Sequence, residues 1–153
     1  MTARATSRGG GGQFATFLVG GLMFGVDVLE VQEVLRSQDM TRVPKAPAMI
    51  EGLINLRGEI VMAVDMRKRL RMPDREREEA PMNMVIRGVD GAVSLLVDEI
   101  GDVIQTAPED FEPPPPTLPE SCRQVIDGMY KLDDRLMLVL NTGRTLDLDG
   151  RAK

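Results

Sequence analysis

Eight short stretches of the chain are rich in apolar residues, and these stretches come in pairs separated by turn-forming residues. Short apolar runs bounded by turns are typical of β-strands, and Val93, Leu95 and Val97 recur with the period of two that places them on one face. Gly20 and Gly21 lie between the strands of the first pair, and Asp133 and Asp134 lie between those of the last. The pattern therefore predicts four hairpins, with strands at residues 14–19, 22–27, 50–56, 60–65, 82–87, 92–98, 126–131 and 135–140.

Residues 28–35 show a different period. Their apolar side chains recur at the spacing of a helix, with polar side chains between them: Val28, Val31, Val34 and Leu35. We therefore predict one short helix over residues 28–35. Pro44 and Pro47 end regular structure after it, and further helical turns are predicted at residues 66–70 and 142–148.

Three segments lack any such periodicity. Residues 1–12 carry few apolar groups and end in four glycines, which predicts a flexible N-terminal tail. Residues 71–80 mix positive and negative charges, which predicts a solvated linker. Residues 113–116 are four prolines, which we interpret as a rigid spacer between strands. We expect a single domain over residues 13–150, made of two lobes that are split near residues 71–81.

The two halves of the chain resemble each other. Residues 50–65 align without a gap with residues 126–141, and the matched positions keep their chemical class or exchange one turn-forming residue for another. The first hairpins align more weakly, with residues 25–27 opposite residues 96–98. A period of this length indicates two duplicated lobes rather than a solenoid. Each lobe would hold about five short strands, enough for a small barrel, and the groove between the lobes is the expected binding surface.

Composition limits the function. The chain of 153 residues contains no histidine, so it has no Ser-His-Asp triad, no His-containing metal site and no phosphoacceptor histidine. Its acidic pairs lie in predicted turns or tails without a partnering base, so we predict a protein that is not an enzyme and takes no cofactor. The net charge of −5 argues against nucleic-acid partners. The single cysteine, Cys122, and the lack of a long apolar run predict a cytoplasmic protein without direct membrane insertion.

The most specific stretch is residues 50–70. It contains the run Gly-Leu-Ile-Asn-Leu-Arg-Gly-Glu-Ile-Val at residues 52–61, followed by Val-Asp-Met-Arg at residues 64–67. Upstream stand Gly-Val-Asp-Val at residues 25–28 and Val-Gln-Glu-Val at residues 31–34, with the two prolines after them. In order and spacing these motifs resemble the CheW family, and the resemblance runs from residue 13 to about residue 148.

The resemblance implies a mainly β fold of two intertwined five-stranded SH3-like β-barrel lobes with short helices. It also implies a non-enzymatic adaptor of chemotaxis signal transduction. Such an adaptor couples the cytoplasmic tips of chemoreceptors, the methyl-accepting chemotaxis proteins, to the regulatory domain of the histidine kinase CheA, and controls kinase activity in the array. The alternative is a free-standing regulatory CheW-like module of a kinase or of a receiver-linked coupling protein in another chemosensory pathway.

The resemblance places six residues at positions for receptor binding or its support, the last two as neighbours that extend the contact: Val31, Glu33, Gly52, Arg57, Val34 and Leu35. Spacing alone favours a core position for the three apolar side chains, so both interpretations stay open for them. Arg57 lies in a predicted turn, where its guanidinium is either a free surface charge or a partner of Glu33. We hypothesise the ion pair. The resemblance assigns no kinase-binding residue.

The chain departs from the family pattern at Met62, since members usually carry a proline in the strand after the Arg-Gly turn. A proline on an edge strand blocks further strand pairing. The exchange therefore either leaves that edge open to a further strand or simply reflects divergence.

Overall fold

The structure is a computed structural model that describes residues 12–76 and 80–147. Over these ranges the chain is mainly β, as predicted. The strands are β1 (Gly12–Val19), β2 (Leu22–Asp27), β3 (Val31–Leu35), β4 (Ile50–Leu56), β5 (Glu59–Asp65), β6 (Met82–Gly88), β7 (Gly91–Val97), β8 (Glu99–Thr106), β9 (Phe111–Glu112), β10 (Ile126–Lys131) and β11 (Leu136–Leu140). Short helices are α1 (Met66–Arg69), α2 (Glu120–Arg123) and α3 (Thr142–Thr145), and 3-10 turns cover Val28–Glu30 and Pro108–Asp110.

The strands form two sheets, which we call the first and the second lobe. The first lobe has the strand order β8-β1-β2-β11-β10-β9, and the second has the order β3-β6-β7-β5-β4. The four predicted hairpins are all present as antiparallel pairs. In addition, β11 lies parallel to β2 and β5 lies parallel to β7. These parallel pairs join a hairpin from one half of the sequence to a hairpin from the other.

Each lobe therefore combines strands from both halves of the sequence. The first lobe takes β1 and β2 from the first half and β8 to β11 from the second. The second lobe takes β3 to β5 from the first half and β6 and β7 from the second. Residues 71–81 connect β5 to β6 within the second lobe, so the boundary between the lobes does not fall there as the sequence suggested. The charge pattern indicated a connecting segment, but it did not show that the strands before and after this segment belong to the same sheet.

One interrupted strand closes each lobe. In the first lobe β8 pairs with β1, and after the turn Pro108–Asp110 the chain continues as β9, which pairs with β10. In the second lobe β3 pairs with β6, and the chain then bridges Thr41 to Leu53 of β4. Thr41 and Leu53 exchange two backbone hydrogen bonds, of 2.9 and 2.8 Å. The two edges of each sheet are thus drawn together, which curls the sheet toward a barrel.

The backbone confirms the repeat between the β4–β5 and β10–β11 hairpins. Each hairpin has a bulge next to its glycine, Gly52 in one and Gly128 in the other. A Cβ atom added to Gly52 would lie 2.7 Å from the carbonyl oxygen of Thr41, and one added to Gly128 would lie 2.6 Å from that of Glu112. Both positions require glycine because the closing strand approaches the backbone at this point.

The alignment of the first hairpins needs a correction. Met62 of β5 pairs with Val93 of β7, and Leu138, its counterpart seventy-six residues later, pairs with Phe24 of β2. Phe24 is therefore the counterpart of Val93, which is an offset of sixty-nine residues rather than seventy-one. The two aspartates are therefore not aligned. Asp27 comes three positions after Phe24, whereas Asp98 comes five positions after Val93.

The buried apolar side chains form three clusters. The largest takes side chains from both lobes, including Phe17, Phe24 and Leu95, and we call it the shared core. A smaller cluster around Tyr130 belongs to the first lobe alone, and one around Ile54 belongs to the second lobe alone. Because most of the buried apolar surface is shared, the two lobes are expected to unfold together.

The predicted helix at residues 28–35 is wrong. A 3-10 turn covers Val28–Glu30, and β3 covers Val31–Leu35. A bulge between Val31 and Glu33 interrupts the alternation of β3. Val31 and Val34 consequently pair with two residues of β6 that point to the same face, so a three-residue spacing arises within a strand.

Other differences concern the ends and edges of elements. The strand β8 was not predicted, because it lies at the edge of its sheet and is mostly exposed, with no apolar alternation. β1 begins at Gly12, within the segment predicted as a tail over residues 1–12, and residues 1–11 lie outside the described residues. Of the helix predicted over residues 142–148, Thr142–Thr145 is helical and residue 148 is outside the described range. The prolines at residues 113–116 connect β9 to α2.

Met62 does not lie on an edge. Its strand, β5, is placed between β4 and β7, and Met62 pairs with Leu53 on one side and Val93 on the other. The absence of the family's usual proline therefore opens no free edge here.

Candidate protein-interaction site

Arg57 and Glu33 form a two-pronged ion pair that joins the edge strands of the second lobe. Nη1 of Arg57 donates to Oε2 of Glu33 at 2.7 Å, and Nη2 donates to Oε1 at 2.8 Å. Glu33 lies on β3 and Arg57 follows β4, the strands at opposite edges of the sheet. Two parallel hydrogen bonds between one guanidinium and one carboxylate make a strong and directional ion pair. The hypothesised pair is confirmed, and it spans the closure of the lobe.

Arg57 has an unusual backbone conformation. Its φ angle is 53°, and Gly58 follows with a φ of 90°. Together they form the two-residue turn of the β4–β5 hairpin, and the amide of Gly58 donates to Oδ1 of Asn55 at 2.9 Å. A positive φ is unfavourable for a residue that carries a side chain. A strained residue whose side chain makes a specific bond is a candidate for function. We call Glu33, Asn55, Arg57 and Gly58 the Arg57 corner.

The charges of the corner are stable at neutral pH, and one of them is open to solvent. The side chain of Arg57 is 76% exposed, whereas that of Glu33 is 18% exposed. The hydrogen bond from Arg57 lowers the pKa of the Glu33 carboxyl, and the same bond raises the pKa of the Arg57 guanidinium. Since the folded pKa of Glu33 is lowered, the pair persists above the ordinary glutamate pKa of about 4.3 and is lost as the pH falls through the lowered value.

The equivalent corner of the first lobe lacks this pair. Asp133 is the counterpart of Arg57, and Asp102 on β8 is the counterpart of Glu33 on β3. Two carboxylates replace an acid and a base, and in the described part of the chain neither aspartate forms an ion pair. The fold therefore closes a lobe without this interaction.

The three apolar candidates on β3 do not form one strip. Val31 and Val34 pair with Ile86 and Met84, which point into the shared core, so they lie on that face of the sheet. Val31 packs against the shared core, whereas Val34 is 40% exposed. Leu35 points to the opposite face and is half-buried. Val34 therefore offers the apolar surface of this set, and Val31 is mainly a core residue.

Gly52 is a packing position. It lies beside the bridge between Thr41 and Leu53, where the approach of the Thr41 carbonyl leaves no space for a side chain. Its strand, β4, leads directly into the turn that carries Arg57. Gly52 can thus support the corner through the backbone.

The groove expected between the lobes is present, with a volume of about 780 Å³. We call it the open groove. Its apolar lining includes Leu53, Met62 and Leu146, together with Ile60 and Val89, which are 60% and 98% exposed. Its charged lining is mostly acidic and consists of Asp27, Glu30, Asp90, Asp127, Asp147 and Arg87. None of the six residues predicted for receptor binding is among the residues that line it.

A second charged cluster was missed by the sequence analysis. Asp98, directly after β7, accepts hydrogen bonds from Arg67 at 2.7 Å, from Arg75 at 3.0 Å and from the backbone amide of Gly20 at 2.8 Å. The three charged side chains are between 10% and 19% exposed. Burial alone raises the pKa of the Asp98 carboxyl, but the hydrogen bonds from Arg67, Gly20 and Arg75 outweigh it, so the pKa is lowered. This Asp98 cluster fastens the β1–β2 turn to the second lobe.

Cys122 is buried in the shared core and is 1% exposed. Burial raises the pKa of its thiol. Because the thiolate is the reactive form, we expect native Cys122 to react with a disulfide reagent at pH 8 at least about a hundredfold more slowly than in the unfolded chain. Absorbance of the released thiol measures the rate. Equal rates before and after unfolding would contradict the burial.

Two further searches of the described residues gave negative results. Over residues 12–76 and 80–147, no group of three or more His, Cys, Asp or Glu side chains is arranged to hold a metal ion. The helices described there are all too short to cross a membrane.

The fold and the site together describe a two-lobed β-barrel module whose distinctive surfaces, an exposed ion pair and an open groove, suit contact with other proteins. The family model of the CheW-like domain matches residues 13–149. The chain therefore belongs to the CheW family, which confirms the resemblance seen in its motifs.

Relatives and a solved structure agree with this assignment. The chain is 31% identical over 137 residues to the chemotaxis protein CheW of Bacillus subtilis strain 168, covering 90% of this chain and 88% of that protein. It is 28% identical over 133 residues to CheW of Treponema pallidum strain Nichols, covering 84% and 78%. The crystal structure of the scaffolding protein TtCheW from Thermoanaerobacter tengcongensis matches with a TM-score of 0.81 at 26% identity, covering 94% of this chain and 97% of that one. These matches confirm the CheW-like fold and support an adaptor role in chemotaxis.

Proposed function

We propose that this protein couples the tips of chemoreceptors to the regulatory domain of the histidine kinase CheA, and that it controls kinase activity without catalysing a reaction. The observation that carries the proposal is the Arg57 corner, an exposed and strained ion pair present in one of two equivalent lobes. Two residues of this corner, Glu33 and Arg57, lie at positions that the family motifs associate with receptor binding or its support. With these partners, the protein would act in the cytoplasm, at membrane-associated or cytoplasmic receptor arrays.

The corner supplies a preorganised contact for the receptor tip. Glu33 holds the guanidinium of Arg57 in one orientation, which reduces the conformational entropy that is lost on binding. Val34, next to Glu33 on β3, adds exposed apolar surface. Val31, Leu35 and Gly52 support the contact by fixing the backbone of β3 and β4.

Reversal of either charge of the pair is expected to weaken receptor binding about tenfold, because like charges would then face each other at the corner. The variants are Glu33→Arg and Arg57→Glu. The double variant that carries both changes re-forms the pair in reverse and should recover most of the affinity. Binding is measured by co-sedimentation with receptor-tip assemblies and CheA, and kinase activation is scored in the same samples.

A matched control is Arg135→Glu, which makes the same charge reversal in the equivalent turn of the first lobe and should leave binding unchanged. Thermal unfolding of each variant separates a lost contact from a lost fold. Unchanged binding of both single variants would remove the corner from the receptor interface, and losses that simply add in the double variant would show that the two charges do not act as a pair. If the unaltered protein neither joins the arrays nor changes kinase activity, the adaptor proposal fails.

A further inference from the structure

The duplication of the lobes implies a second groove equivalent to the open one, and in this chain the second groove is filled. Three apolar residues that line the open groove are only half-buried: Leu53, Met62 and Leu146. Their counterparts in the other groove, seventy-six residues away in the sequence, are 7%, 2% and 1% exposed: Met129, Leu138 and Leu70. Equivalent surfaces thus differ in that one of them is covered.

Residues 71–76, which we call the strap, follow Leu70 directly and contribute to this cover through Met72, since Met72 packs against the cluster that contains the three side chains. Met72 packs against the shared core and reaches the β1–β2 turn, where a Cβ atom added to Gly20 would lie 2.5 Å from its sulfur. Gly20 is the counterpart of Val89, which lines the open groove. Three residues after Met72, Arg75 forms an ion pair with Asp98 at 3.0 Å. The strap therefore combines an unbranched apolar side chain with a guanidinium.

The open groove also has an acid at the corresponding strand end, and among the described residues this acid has no ion-pair partner. Asp27 ends β2, as Asp98 follows β7, although Asp98 lies two positions further along. The carboxylate of Asp27 accepts a hydrogen bond from the amide of Leu29 at 2.9 Å, and it forms no ion pair within the described residues. Arg67, the second cation of the Asp98 cluster, has Gly143 as its counterpart. Asp90 on the same groove is also without an ion pair among the described residues.

We propose that the open groove binds a segment of a partner protein with the chemistry of the strap: a methionine or leucine that enters the groove, and an arginine or lysine three residues later that pairs with Asp27. The carboxylates of Asp27 and Asp90 favour a cationic segment and disfavour an anionic one, whereas Asp127 is already paired with Arg144 at 2.9 Å. The exposed Ile60 and Val89 supply the apolar contact. This goes beyond the proposed function, since the groove is lined by none of the residues assigned there to the receptor.

Two synthetic peptides of equal length and equal apolar pattern test the proposal. One carries an arginine three residues after its central methionine, and the other carries a glutamate at that position. Titrated into the labelled full chain and followed by NMR, the arginine peptide should shift the signals of Leu53, Ile60 and Val89 and bind about tenfold more tightly than the glutamate peptide. Its affinity should fall as salt is added.

The variant Asp27→Asn keeps an oxygen that caps the turn after β2 but removes the charge, and it should weaken the arginine peptide about fivefold. Asp133→Asn makes the same change outside the groove and should have no effect. Equal affinity of the two peptides, shifts confined to other surfaces, or no binding of either peptide would overturn the proposal. The test uses peptides rather than receptors. A negative result would therefore not contradict the receptor contact at Arg57, and a negative result in the Arg57 experiment would not contradict the groove proposal.

Discussion

Asp98→Ala is expected to lower the free energy of unfolding by about 2 kcal/mol at pH 7. The change removes the carboxylate that Arg67 and Arg75 share. Because these two side chains are only 19% and 10% exposed, water cannot fully replace their lost partner. It also removes the acceptor of the Gly20 amide. The expected loss lies below that of a fully buried ion pair, since solvent reaches part of the cluster. Denaturant titration measures it.

The dependence of the free energy of unfolding on pH provides a second test of the Asp98 cluster. The folded pKa of Asp98 is lowered, so its contribution is fully present above the ordinary aspartate pKa of about 3.9 and is lost as the pH falls through the lowered value. The stability difference between the unaltered protein and Asp98→Ala should therefore shrink in acid. A difference of equal size at neutral pH and well below the ordinary pKa would contradict this account.

Gly52→Ala is also expected to lower the free energy of unfolding by about 2 kcal/mol, because backbone cannot move aside as readily as a flexible side chain. The new methyl group would lie 2.7 Å from the Thr41 carbonyl oxygen, next to the two hydrogen bonds that close the second lobe. The loss is measured by chemical denaturation. Wherever the variant is folded, it should bind receptor tips better than Arg57→Glu does, since the ion pair is retained.

The control for this prediction is Gly143→Ala, at the second residue of α3. The nearest atom to a Cβ atom there is Oδ1 of Asn141, at 3.4 Å, and alanine favours a helix. Stability should change by less than about 0.5 kcal/mol. Full stability of Gly52→Ala would show that Thr41 and its neighbours move without cost, and would leave Gly52 free for a direct role at the interface.

The hairpins were predictable because the signal is local. In the β6–β7 hairpin, alternate residues such as Val93, Leu95 and Val97 point into the shared core, and the turn residues stand directly before this strand. The signal fails where a strand is bulged or exposed. Val31 and Val34 share a face across a bulge and so imitate a helix, and β8 carries few buried side chains to mark it.

The site was predictable only in part, because contacts between distant parts of the sequence leave no local signal. Glu33 and Arg57 were found through the family motifs, although Glu33 lies in a segment that was predicted as a helix and is the strand β3. Arg75 was placed in a solvated linker, because nothing near it in the sequence shows that Asp98, twenty-three residues later, lies in contact. The lining of the open groove depends in the same way on how the two halves interlock.

The interlocking has a consequence for how the chain reaches its folded state. Each half gives its first hairpin to the other lobe, β1–β2 beside β11 and β6–β7 beside β5. A reciprocal exchange of identical elements is the arrangement of a domain-swapped dimer, here contained within one polypeptide. A fragment ending before β6 would lack the hairpin that β3 and β5 pair with, so it should fold only on meeting its complement. Folding of the whole chain has to wait for contacts between residues far apart in sequence, which makes it slower than folding of a protein with local contacts.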